Sequence, residues 1–104
     1  MTQVAVIAKL TAVEGKSEEL TAAIADLVTE VRDTESGTLV YAAAQDTADP
    51  NVFWFYEFYG SAEAATAHST GDALAKAGKR MRGLLAAPPE VHRLTPIAGK
   101  GLPV

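Results

Sequence analysis

The chain has 104 residues, nine basic against thirteen acidic, a net charge of −4 and a pI near 5.0. That length supports one domain and one core, and the acidic balance speaks against a nucleic-acid surface. The absence of cysteine excludes disulfides, thiolate metal sites and cysteine nucleophiles.

The N-terminus opens on Gln3 to Leu10 (QVAVIAKL), a β-branched, apolar stretch that predicts a strand. No basic region and apolar segment of a signal peptide precede it, and no apolar run approaches a membrane span, so the expected compartment is the cytoplasm. From Ser17 to about Arg32, Leu20, Ile24, Leu27 and Val31 recur at helical spacing. Ser17 is the expected N-cap, with Glu18 and Glu19 in the first turn. Thr38 to Gln45 predicts a second strand. The turn-rich Asp46 to Asn51 joins it as a hairpin to Phe53-Trp54-Phe55-Tyr56-Glu57-Phe58-Tyr59, which holds every aromatic residue except Tyr41.

Ser61 is the expected cap of a short helix ending near Ser69 and containing His68. Gly71 and Asp72 break and restart the pattern, which runs as a second helical stretch to about Leu85 before Pro88-Pro89. Glu90 to Ile97 predicts the fourth strand, with Pro96 at its end or on an edge. The residues after Ile97 form a loose tail or a dimer arm. The order β-α-β-β-α-β is the split βαβ arrangement of a ferredoxin-like α+β fold, an antiparallel sheet with its helices on one face.

Alternation divides the aromatic strand. Phe53, Phe55, Glu57 and Tyr59 share one face, and Val52, Trp54, Tyr56 and Phe58 share the other. Both faces are too apolar for water, so a homodimer is the simplest cover for the second, with Trp54 in the interface. Four basic residues, Lys76, Lys79, Arg80 and Arg82, gather late in the second helical stretch, where they complement the helix dipole and face water.

Glu35-x-Gly37-x-x-x-Tyr41, Asp49-Pro50, Phe53-x-Phe55-x-Glu57-x-Tyr59, then Ser61, Ala64 and His68 together resemble the antibiotic biosynthesis monooxygenase (ABM) family. The likeness spans roughly residues 3 to 97. It implies a dimeric α+β barrel with a small cavity in each subunit. It also implies an oxidation of quinols or polycyclic phenols by dioxygen that calls for no cofactor and no metal. Haem-degrading relatives carry asparagine, tryptophan and histidine where this chain has Ala8, His68 and Gly78, so haem degradation is not expected. An isomerase of small anionic metabolites is a further family alternative, kept open by the Lys76–Arg82 cluster.

The expected catalytic residues are His68 and Glu57, and the expected substrate-binding residues Tyr41, Phe55 and Tyr59. Histidine titrates near working pH, so His68 suits a base toward a phenolic proton or a donor to a substrate oxygen. Its other reading is a structural histidine bonded to Glu57 or to backbone. Glu57 is equally an acid or base with a raised pKa, or the group that orients His68. Tyr41 and Tyr59 donate to substrate or simply fill the sheet face, and His92 is read as structural. No metal-ligand spacing is present. The alternative to an enzyme is a non-catalytic or ligand-binding dimer whose cavity is filled by its own aromatic side chains.

Overall fold

A computed structural model describes residues 2–104. The elements are β1 (Val4–Thr11), α1 (Ser17–Thr34), β2 (Thr38–Gln45), β3 (Val52–Tyr59), α2 (Ala62–Ser69), α3 (Asp72–Arg80) and β4 (Glu90–Leu94). The four strands form one sheet in the order β2-β3-β1-β4, every neighbouring pair antiparallel. The α+β, ferredoxin-like expectation is met, with the second helical region split into two helices.

The even-numbered residues of β1, Val4, Val6, Ala8 and Leu10, face the helices. Phe53 and Phe55 of β3 join Ala8 and Leu10 in a core with Leu20, Ile24, Leu27 and Val31 of α1. Fully burying each such aliphatic side chain contributes about 1.5–3 kcal/mol. Ala73 and Ala77 of α3 and Met81 complete that cluster. A second, smaller cluster of Val4, Val6, Tyr59 and Ala65 lies under α2.

Three boundaries differ from the sequence reading. Helix α1 is entered through Lys16, whose side chain makes no capping bond, and Ser17 is already helical. Helix α3 stops at Arg80 rather than near Leu85. Gly83 turns the chain at φ +83°, and the freed backbone pairs with the end of β1, Val13 N–H donating to Leu84 O at 2.8 Å and Ala86 N–H to Thr11 O at 2.8 Å. Strand β4 ends at Leu94, short of Pro96, which has no N–H for a ladder. Because α3 stops early, it does not cover β4, and all five residues of that strand are exposed.

The opposite sheet face carries Ile7, Lys9, Ala42, Ala44, Trp54, Tyr56 and Leu94. Trp54 lies there as alternation predicts and is 38% exposed. Its indole N–H donates to Asp46 Oδ2 at 2.9 Å and Lys9 Nζ stands 5.6 Å from its ring. Phe58 departs from the expectation of a residue waiting for a partner, being fully buried within the chain itself. The tail is not loose throughout, since the Gln3 side-chain amide donates to the carbonyl of Pro103. Among the described residues no helix is long and apolar enough to cross a membrane.

Candidate active site

The site begins with the approach of α2 to the turn after α1. The Ser61 hydroxyl accepts from Ala64 N–H at 3.1 Å and starts α2, whose only buried residues are Ala65 and His68, one turn apart. Gly37 lets this helix come close: a Cβ there would stand 2.7 Å from Ala64 Cβ. Gly71, just past α2, is equally tight, a Cβ meeting Ala67 O at 2.7 Å with Glu35 Oε2 at 3.7 Å. The Glu35-x-Gly37 and Ala64…His68 segments are therefore one packing unit, and it joins Glu35 to His68.

His68 is 6% exposed, and its Nδ1 lies 2.7 Å from Glu35 Oε1, an oxygen that also accepts from the Thr38 hydroxyl at 3.0 Å. A carboxylate can only accept, so Nδ1 carries the hydrogen and Nε2 presents its lone pair. Nε2 stands 3.9 Å from Glu57 Oε1, too far for a hydrogen bond. No buried side-chain nitrogen or oxygen among the described residues lacks a partner. Nε2 makes no hydrogen bond among the described residues, so it opens to the cavity.

Glu57, 7% exposed, accepts from the Tyr59 hydroxyl at 2.5 Å. Burial pushes its carboxyl above the usual range, and the Tyr59 bond and His68 oppose that rise. Burial also pushes both phenols well up. For Tyr59 the bond to Glu57 adds to the effect, and for Tyr41 the charges of Glu57 and Glu35 do. Both stay neutral at any working pH and act as hydrogen-bond donors, never as bases. Tyr41 packs edge-on against His68 at 4.9 Å between centroids and 5.4 Å from Phe55. Its hydroxyl has no partner among the described residues.

Tyr41, Phe55, Glu57, Tyr59 and His68, but not Glu35, line a cavity of about 840 Å³, which extends past Leu74, Ala77 and Met81 to the Gly83–Pro89 segment and the uncovered face of β4. That volume sits within the usual range for small-molecule sites, roughly 300–1,000 Å³. One row across the sheet organises its floor: Tyr41, Glu57, Val6 and Arg93 are successive cross-strand partners, and all four side chains line the cavity.

All five residues singled out in the sequence, Tyr41, Phe55, Glu57, Tyr59 and His68, thus meet at one place. The partner of His68 differs from the expectation: Glu35, not Glu57 or backbone, holds its ring. The signal is present in the Glu35-x-Gly37 motif, but the contact spans 33 residues and follows no local period. His92 lies exposed on the opposite sheet face, away from the cavity. The basic cluster divides. Lys76 pairs with Glu30 at 3.0 Å and Arg80 with Asp26, tying α3 to α1, while only Arg82 of the four lines the cavity.

The profile of a family described as "Antibiotic biosynthesis monooxygenase" matches residues 3–80. Among solved structures, the chain is 27% identical to a protein from Caulobacter crescentus provisionally named an antibiotic biosynthesis monooxygenase (TM-score 0.87, covering 93% of this chain and 92% of that one). A similarly named protein from Chloroflexus aurantiacus is 29% identical (TM-score 0.80, 96% and 98% covered). Protein PA3566 from Pseudomonas aeruginosa is 26% identical (TM-score 0.85, 94% and 97% covered). No functionally curated protein matches the chain. With three quarters of its length matched by the family profile, its strand order and its buried His68 in place, this chain belongs to the antibiotic biosynthesis monooxygenase family.

Proposed function

We propose that the protein is a cofactor-independent monooxygenase that oxidises a quinol or polycyclic phenol with dioxygen. One observation carries this reading: a buried His68, held through Nδ1 by Glu35, with a bare Nε2 at the inner end of an 840 Å³ cavity. A cavity filled by its own aromatic side chains would have favoured a non-catalytic protein, and this one has room for several fused rings.

The substrate hydroxyl gives its proton to Nε2, and Glu35 stabilises the imidazolium that results. The phenolate passes one electron to dioxygen, and the superoxide and aryloxyl radicals join, forming a bond between oxygen and a ring carbon. Cleavage of the O–O bond leaves one oxygen on that carbon as a carbonyl. The other departs as water with two hydrogens, one from the hydroxyl and one from the carbon. The substrate supplies all the electrons, so the protein's work is deprotonation, orientation and exclusion of water. Tyr41 is placed to donate to a substrate oxygen, Phe55 packs against the rings, and Glu57 with Tyr59 forms the polar wall behind them.

The same reading includes a homodimer through the apolar sheet face that bears Ile7, Tyr56 and Trp54, acting in the cytoplasm. Oxygen uptake with 1-naphthol and with hydroquinones, on protein freed of metal and flavin, tests the chemistry. Wild type should exceed autoxidation, and His68→Ala should lose about 10²- to 10⁴-fold, the usual weight of a positioned base. Glu35→Gln should slow the reaction and shift its pH profile, because the amide no longer stabilises the imidazolium. Wild-type rates equal to autoxidation for every substrate sink the proposal.

A further inference from the structure

The cavity has polar lining that the oxidation does not use. Its lining contains two cations, Arg82 in the turn after α3 and Arg93 on β4. Neither has a carboxylate within 4.0 Å among the described residues. Most other basic residues are spoken for: Lys9 pairs with Glu90, Lys16 with Glu19, Arg32 with Asp33, Lys76 with Glu30 and Arg80 with Asp26. In a chain of net charge −4, two unpaired guanidinium groups in one cavity are an uneven use of few cations.

The sheet defines the position of Arg93, whereas Arg82 lies toward the other end of β1, where Val13 N–H donates to Leu84 O. Arg93 pairs with Val6, and Val6 with Glu57, so Arg93 and Glu57 point to the same face two strands apart. Neighbouring strands lie about 4.8 Å apart, which sets the two backbones about 10 Å from each other. Between them the floor is Val6 and Ala8 with Phe55 beside them, all apolar. A flat aromatic ligand reaching from His68 across this floor would bring its far end to Arg93. Arginine presents paired donors that match a carboxylate in a planar, bidentate contact.

We propose that the substrate carries a carboxylate on the ring end remote from the reacting hydroxyl, and that Arg93 binds it. This rests on the monooxygenase reading for what happens at His68, but the binding preference itself does not. The probe pair is 5,8-dihydroxy-2-naphthoate, whose hydroquinone and carboxylate sit on opposite rings, and its methyl ester. Calorimetric titration under anaerobic conditions should show the acid binding wild type about 10- to 100-fold tighter than the ester, as charged hydrogen bonds imply. Added salt should reduce that ratio. Arg93→Ala should bring it to about one. Arg93 is exposed, so an unchanged melting temperature will certify the fold. Equal affinity for acid and ester, no binding of either, or an undiminished ratio in Arg93→Ala overturns the proposal. Oxygen uptake with both probes is a separate readout. A retained binding preference without turnover refutes the monooxygenase and leaves the carboxylate site standing.

Discussion

At the scale of single residues, the site is a chain of acceptors and donors around one imidazole. Glu35 takes the Nδ1 hydrogen, and Tyr59 gives its own to Glu57. Glu57 bears the cost of burial. Its pKa is raised above the ordinary 4.5, so the native state keeps a proton that the unfolded chain releases. Its contribution to stability is therefore present below about pH 4.5 and lost as pH rises through the folded value. Glu57→Gln cannot ionise and escapes that loss. Thermal melts of variant and wild type should diverge in favour of the variant as pH rises above about 4.5. A melting difference independent of pH would show that the Glu57 carboxylate is fully compensated in the fold. The reasons Glu57 was legible in the sequence and the role of Glu35 was not are plain. A lone carboxylate inside an aromatic strand is conspicuous from burial alone. A glutamate just past an amphipathic helix looks like any solvated end.

At the scale of elements, the close approach of α2 to the turn before β2 sets the position of His68. Gly37 is required there for space, and its partner Ala64 is small for the same reason. Gly37→Ala forces a Cβ to 2.7 Å from Ala64 Cβ, an overpacking that should cost about 1–3 kcal/mol in urea titrations and displace His68 from Glu35. Gly78 is the contrast. It lies inside α3, and a Cβ added there would meet nothing within 4 Å, so Gly78→Ala should stabilise by about 0.5–1 kcal/mol. Equal effects of the two substitutions would contradict this packing account. The early end of α3 belongs to the same scale. Apolar periodicity runs on through Leu84 and Leu85, but those residues pack from a turn and a bridge to the segment just past β1, a tertiary choice that periodicity does not encode.

At the scale of the whole molecule, two features are left uncovered by the chain itself. One sheet face exposes Ile7, Ala42, Ala44, Tyr56 and Leu94 to differing degrees, and β4 is exposed throughout. Light scattering should give a solution mass twice the 10.9 kDa of the chain. Tyr56→Lys, which places a charge at the centre of that face beside Ile7 and Ala42, should yield a monomer with unchanged far-ultraviolet circular dichroism. A wild-type monomer at micromolar concentration would leave that face without its proposed cover.

The sequence by itself determined the element order, the strand alternation that sends Phe55, Glu57 and Tyr59 to one side and Trp54 to the other, and the capped helix carrying His68. Each follows from local chemistry: period, caps, turns and the poor fit of charge in an apolar run. Only the tertiary structure decided that Glu35 holds His68, that α3 ends at Arg80, that Phe58 is buried by its own chain, and that Arg93 joins Glu57 in one row. Those outcomes depend on strand register and helix approach, which are settled by contacts between residues far apart in the chain.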